Sequence, residues 1–407
     1  MSRFLFVVKF LVIAVVISTA SFNAFSQSGG MKGYDKTLEA IEPYNVSFSV
    51  GLAGDTPPAI SRLILAESRG VRNSSLSPNG SYVAYVSMLT GKYQLWIQPT
   101  DGGQATQLTF GSGVRFYAWS PEGESILYSS DNNGNEQESY YLINLEKFSE
   151  KKVLPAVKGG FRVFGGFVGN DTILFASTER NKIDFDLYLT NLQDGSTEMV
   201  YEGRMGLSVS SVSPDGKWAI MKESIGEDSD SLYLFNIQKR TLKTISSPER
   251  RANHSDAGFA WAKDSSGFYF ATNKQQEFQN LAYYSLSDGM KWVEKASHDV
   301  ERVKLCKGDK YLAWTSNVDG YSQLRVKDLH ENKDIDVDGL PRGVWRISCE
   351  AMASHLLIET KGSSDPGSLY TWNFNGDIEM LFSAGLAGVP KQSIVEPKSV
   401  RMKARDG

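Results

Sequence analysis

The stretch Trp119-Ser120-Pro121-Glu122-Gly123-Glu124-Ser125-Ile126-Leu127-Tyr128 decides the fold, because the same phrase is written again on either side of it. Leu76-Ser77-Pro78-Asn79-Gly80-Ser81-Tyr82-Val83-Ala84-Tyr85 precedes it, and Val212-Ser213-Pro214-Asp215-Gly216-Lys217-Trp218-Ala219-Ile220-Met221 follows. Each copy reads as the end of one strand, a tight turn, and a second strand alternating between two faces. Proline at the first corner presets φ, and an Asn-Gly or Asp-Gly pair accepts the positive φ that a hairpin turn demands. A hairpin repeated every ~40 to 50 residues is the signature of a β-propeller.

Worked outward, the repeats fall at about 71–110, 115–154, 162–201, 207–245, 258–295, 300–337 and 344–382. The first predicts strands at 72–77, 82–88, 94–99 and 105–109, with Gly102-Gly103 turning between the last two. The third replaces the turn with Gly169-Asn170-Asp171, and the seventh has lost its Pro-Gly turn at 350–354. The expectation is an all-β chain: a seven-bladed β-propeller of four-stranded blades over 71–385. First and last blades each own their strands, so the ring is unlatched and held by apolar packing between blades. Trp119, Trp218, Trp261, Trp314 and Trp345 are read as that packing. A β-sandwich of the same hairpins would not need so regular a rhythm.

Residues 1–26 read as a signal peptide: Arg3 and Lys9 precede an apolar run from Phe10 to Ile17, and Ala24 and Ser26 stand before a cut at Gln27. A buried helix would show a polar face, which this segment lacks. The run is short for a membrane span, so the expected product is exported, periplasmic and free of the membrane after cleavage. Residues 27–70 form an N-terminal extension in which 34–41 suits a short helix and 60–67 suits either helix or strand. A net charge of -4 and a pI near 5.8 argue against a nucleic-acid partner, which needs a basic face.

In order along the chain, the repeats resemble TolB-like propellers, and the mature chain resembles the N-terminal propeller of the prolyl oligopeptidase family of serine peptidases, of the acylaminoacyl-peptidase and dipeptidyl-peptidase type. The phrases that carry this are Leu95-Trp96-Ile97 with Gln107-Leu108-Thr109; Ile126-Leu127-Tyr128-Ser129-Ser130-Asp131 with Gly134-Asn135-Glu136; and Asp184-Phe185-Asp186-Leu187-Tyr188. Later come Ala271-Thr272-Asn273 with Asn280-Leu281-Ala282, and Asn317-Val318-Asp319-Gly320-Tyr321-Ser322-Gln323-Leu324. Val395-Glu396-Pro397, Val400 and Arg405-Asp406-Gly407 look like the family's approach to its hydrolase domain, so 386–407 is expected to be a linker.

The resemblance implies a C-terminal α/β-hydrolase domain with a Ser nucleophile on a Gly-x-Ser-x-Gly elbow, then Asp and His. No such elbow occurs in this sequence; Gly206-Leu207-Ser208-Val209-Ser210 lacks the second glycine. No catalytic residue can therefore be carried over, and the chain alone is expected to be inactive. The implied role is a substrate-gating propeller of an exported serine peptidase for short peptides, with the hydrolase domain and those peptides as partners. The alternative is a stand-alone TolB-like propeller that binds proteins in the cell envelope. An enzyme working in the propeller's own central pocket would need a constellation of acids or metal ligands that is not found.

Candidate site residues lie on the loops joining second to third strands, which share one face of the ring: 131–138, 179–184, 226–230, 275–279 and 317–321. Glu136, Arg180, Asp184 and Asn317 are the candidates for contact with a peptide or with the hydrolase. His254, His298, His330 and His355 are scattered without metal-site spacing, and the Asp/Asn clusters lack a complete calcium-loop pattern, so neither a metal nor another cofactor is expected. Cys306 and Cys349, the two cysteines, end the inner strands of blades six and seven. They are a candidate disulfide against a reading as two buried thiols, since inner strands of neighbouring blades are not paired and a Cα separation beyond about 7 Å forbids the bond.

Overall fold

The computed structural model describes residues 65–67, 69–247, 252–254, 258–403 and 405; the expected signal peptide and all but the last few residues of the 27–70 extension lie outside the described residues. The described residues form seven four-stranded antiparallel sheets, each made of strands consecutive in the chain. Blades 1 to 7 cover 71–107, 117–154, 162–204, 207–246, 260–294, 300–335 and 344–383. This is the seven-bladed, all-β propeller that the repeats predict.

The repeated turn explains itself at atomic level. In blade 4 the Ser213 hydroxyl donates to Asp215 Oδ1 at 2.7 Å and accepts from the Trp218 N–H at 3.0 Å. The Gly216 N–H closes the turn on the Ser213 carbonyl at 2.9 Å. Ser77 and Asn79 repeat the arrangement in blade 1, with 2.8 Å between side chains and 3.0 Å from the Tyr82 N–H. The buried serine thus satisfies groups that a turn would otherwise orphan. The glycine has two duties: at Gly123 φ is +76°, and a Cβ would lie 3.1 Å from Pro78 Cδ of the preceding blade's turn. In blade 7, which has no such glycine, Ala353 receives the same approach from Gly80.

Alternation then divides each strand between two neighbours. In the second strand of blade 1 (Tyr82–Ser87), Val83 and Tyr85 pack against blade 7 while Ala84 and Val86 pack against blade 2. Ile126 and Tyr128 of blade 2 meet blade 1, and Leu127 meets blade 3. The same division yields one apolar cluster at every interface of the ring. Trp119, Trp218, Trp261, Trp314 and Trp345 all sit in these clusters, as expected.

Among the described residues no strand crosses the seam between blades 1 and 7. It closes on Val71, Leu76, Val83 and Tyr85 against Ala353, Leu357 and Leu369. The Ser74 N–H and hydroxyl donate to Glu359 Oε2 at 2.8 and 2.9 Å, and Gln98 Nε2 donates to the Leu381 carbonyl at 3.3 Å. Burial pushes the Glu359 carboxyl above its ordinary range, and the Ser74 donors pull against that shift. Between blades 6 and 7 the structure joins Cys306 to Cys349, whose Cα atoms are 5.3 Å apart, inside the separation that a disulfide spans.

Three details differ from the sequence reading. The expected 317–321 loop is a tight turn between Tyr311–Val318 and Tyr321–Asp328, because Asp319 (φ 53°) and Gly320 (φ 82°) both take the positive φ of a two-residue hairpin. The 226–230 loop is likewise taken up by Trp218–Gly226 and Ser229–Asn236. The fourth strand of blade 1 shrinks to Thr106–Gln107, since the Leu95 N–H turns from the ladder to the Thr109 hydroxyl at 2.9 Å.

Gly123→Ala tests the turn. The added methyl meets Pro78 and fixes a residue at unfavourable φ, so urea unfolding is expected to show a loss of about 1–2 kcal/mol with an unchanged m-value. An unchanged midpoint would contradict the double role given to this glycine.

Candidate functional site

Up-and-down strand order places the second-to-third turns and the links to the next blade on one side of the ring. The described C-terminal segment lies on this loop face. Pro397 accepts at its carbonyl from the Tyr321 hydroxyl at 3.0 Å, Glu396 Oε1 accepts from Ser364 at 2.8 Å, and Arg401 approaches Asp319 at 3.8 Å. The segment therefore crosses the turns of blades 7 and 6.

The sequence candidates share this face but not one site. Arg180 is clamped on buried Asp186, with Nε at 2.8 Å and Nη2 at 3.0 Å, and also faces Asp184 at 3.5 Å and Glu202 at 3.3 Å. Hydrogen bonding to Asp186 raises its already high pKa further. Asp184 accepts from Asn181 Nδ2 at 2.7 Å and from the Met205 N–H at 2.9 Å, which ties the loop to the next blade. Asn317 donates to Glu301 at 2.9 Å and accepts from the Gly320 N–H at 3.0 Å, stabilising its own turn. Glu136 stands at φ 60°, its N–H on Asp131 Oδ2 at 3.2 Å and its side chain exposed. Arg180, Asp184 and Asn317 thus hold their loops, and the exposed Glu136 carboxylate acts through space on Arg115.

One constellation has the outline of a hydrolytic triad. His254 Nδ1 lies 2.6 Å from Asp230 Oδ1 and Nε2 lies 2.8 Å from Ser246 Oγ. His254 is 0% exposed and Ser246 4%, so no substrate carbonyl reaches the hydroxyl. The arrangement satisfies buried polar groups between the third strand, the fourth strand and the link to blade 5. Among the described residues no group of three His, Cys, Asp or Glu side chains is placed to hold a metal. Among them, too, no helix is long and apolar enough to cross a membrane.

A cleft of about 610 Å³ opens between blades 1 and 2, and the sequence reading did not single it out. Arg72 is the second residue of the inner strand of blade 1 (Val71–Leu76), Lys92 lies in its second-to-third turn, and Arg115 precedes the inner strand of blade 2. Arg115 donates from Nε to Asp131 Oδ2 at 3.1 Å, and the Gly134 N–H donates to Asp131 Oδ1 at 3.0 Å. Burial works against a charged Asp131, but Arg115 and the backbone donors outweigh it and hold its carboxyl below the ordinary value. The signal available in the sequence was recurrence: Arg72, Arg115 and Arg162 stand at or just before the inner strands of consecutive repeats. Arg162 donates from Nη1 to the Glu138 and Pro155 carbonyls at 3.3 and 2.9 Å and lies over the Tyr140 and Phe175 rings.

Residues 109–383 match the family described as prolyl oligopeptidase, N-terminal beta-propeller domain. A dipeptidyl aminopeptidase BIII of Pseudoxanthomonas mexicana is 30% identical over 132 residues, 31% of this chain and 19% of that protein. Dipeptidyl-peptidase 5 of Porphyromonas gingivalis is 28% identical over 193 residues, 46% of this chain and 22% of that protein. The chain thus matches about a fifth of the length of each relative. A solved structure from a study of two prolyl endopeptidases superposes with a TM-score of 0.64 over 80% of this chain and 52% of that one, at 15% identity, a likeness of fold.

Asp131→Asn tests the tie that shapes the cleft. The depressed carboxyl contributes stability that is present above the ordinary aspartate value of 3.8 and is lost as pH falls through its lower folded value. The variant is expected to lose about 1 kcal/mol at neutral pH, a figure reduced for the solvent around Arg115. The gap to the parent chain should close as the pH is lowered through that window; a gap constant with pH would contradict the ion pair as its cause.

Proposed function

The chain belongs to the prolyl oligopeptidase family, through that family's N-terminal β-propeller domain, and on this premise we propose that it is the substrate-gating propeller of an exported serine peptidase acting on short peptides. The observation that carries the reading is the course of the C-terminal segment over the loop face at Ser364, Tyr321 and Asp319. A domain attached there sits over the ring, and the Ser, Asp and His of an α/β-hydrolase then work in a chamber that the propeller closes. The propeller's share of the chemistry is exclusion: chains too bulky to pass the ring or its margin do not reach the nucleophile, and water access is restricted.

The names of the relatives, a dipeptidyl aminopeptidase and a dipeptidyl-peptidase, support short peptides as the substrate class. Export is supported by the apolar run behind Arg3 and Lys9, and an oxidising compartment suits the Cys306–Cys349 bond.

The test compares this chain alone with a form carrying a C-terminal hydrolase domain, using a chromogenic dipeptide, a tetrapeptide and a long unfolded peptide of the same cleavage sequence. The chain alone is expected to be inert, and the long form to prefer the short substrates. Replacing both cysteines by serine (Cys306→Ser with Cys349→Ser) loosens the tie between blades 6 and 7, and is expected to raise cleavage of the long peptide several-fold relative to the dipeptide. Size preference unaffected by loosening the ring would contradict gating. A stop codon directly after Gly407, with a folded and inert product, would favour the protein-binding propeller instead.

A further inference from the structure

We propose that the cleft between blades 1 and 2 is a binding site for a carboxylate carried on a short apolar peptide, with Arg72 and Lys92 as its cationic partners. The choice of a peptide rests on the functional reading above; the choice of a carboxylate rests on the cleft itself.

The lining contributes three cations, Arg72, Lys92 and Arg115, against one carboxylate, Asp131. Asp131 is already committed: it is 9% exposed and takes Arg115 together with the Gly134 and Glu136 backbone donors. Arg115 is committed in return. Arg72 is not. Its guanidinium carbon lies over the Tyr93 ring, 4.7 Å from the centre, and the guanidinium makes no hydrogen bond or ion pair among the described residues. Glu359 feels Arg72 and Arg346 through space but spends Oε2 on Ser74. Lys92 is exposed in the adjoining turn, likewise without an ion-pair partner among the described residues.

An arginine whose donor fork has no hydrogen-bond or ion-pair partner among the described residues is suited to bidentate recognition of a carboxylate, and the neighbouring lysine adds a point charge. Between the charges the walls are apolar, at Val86, Met88 and Val114, and a Cβ on Gly91 or Gly134 would meet nothing within 4 Å, so the rim is open. The volume of about 610 Å³ falls in the range of about 300–1,000 Å³ usual for small-ligand clefts. The occupant these features describe has an anionic end and an apolar body of a few residues. A C-terminal carboxylate and an acidic side chain share that chemistry.

The experiment measures equilibrium binding of N-terminally dansylated apolar tetrapeptides to the described chain without any hydrolase domain. Three probes are used: the free acid, its C-terminal amide, and an amide carrying one glutamate. The free acid or the glutamate amide is expected to bind at least about tenfold more tightly than the plain amide, and whichever does so identifies the source of the carboxylate. Arg72→Gln and Lys92→Gln, both at exposed positions, should each remove most of that difference, while Lys263→Gln on the opposite face of the ring should leave it intact. Equal binding of the three probes, no binding by any of them, or equal losses in all three variants would overturn the proposal. Because no cleavage is measured, these results are independent of whether size gating holds.

Discussion

The structure depends on apolar side chains wedged between blades whose described strands form separate sheets. Each described four-stranded sheet is made of consecutive strands, so among the described residues no hydrogen-bonded ladder runs round the ring. Its continuity comes from alternating side chains, each strand giving one parity of residues to the blade behind and the other to the blade ahead. Burial at roughly 25 cal/mol per Å² of apolar surface makes each such wedge substantial, yet non-directional. Direction is supplied at the margins, by turns that touch their neighbours and by a few polar ties such as Ser74 to Glu359.

That division of labour shapes the loop face. Loops that must hold still on a ring without a backbone latch consume their own polar groups: Arg180 holds Asp186, Asp184 reaches Met205, and Asn317 caps its own turn. The result is a firm platform crossed by the C-terminal segment. The contrast makes Arg72 and Lys92 stand out, because no side-chain hydrogen bond or ion pair among the described residues holds either of them. The closed Ser246–His254–Asp230 cluster teaches the complementary lesson, since a constellation with the distances of a catalytic site serves packing when no substrate can reach it.

The fold was legible because its determinants are local and repeated. Ser-Pro-x-Gly encodes turn geometry, serine capping and close approach within a few residues, and alternating apolar residues encode which side faces a neighbour. The site was less legible because it depends on separations that no local pattern fixes. Arg115 finds Asp131 across a hairpin, and Arg180 finds Asp186 rather than the outward-facing Asp184 alone. Cys306 and Cys349 belong to unpaired strands of different blades, so their 5.3 Å Cα separation comes from the packing of blade 6 on blade 7 and not from spacing in sequence. Asp319-Gly320 shows the opposite case: its turn signal was present, and the length of the flanking strands hid it.

The central claim is that the loop face, which the C-terminal segment crosses, is the face on which a catalytic domain sits. Amide hydrogen exchange, compared between this chain and the chain joined to a C-terminal α/β-hydrolase domain, tests it most directly. The account predicts added protection at the second-to-third turns around Asn181, Asp319 and Ser364, with exchange unchanged at the opposite turns around Asn79, Glu122 and Asp215. Protection confined to those opposite turns, or absent from both faces, would contradict it.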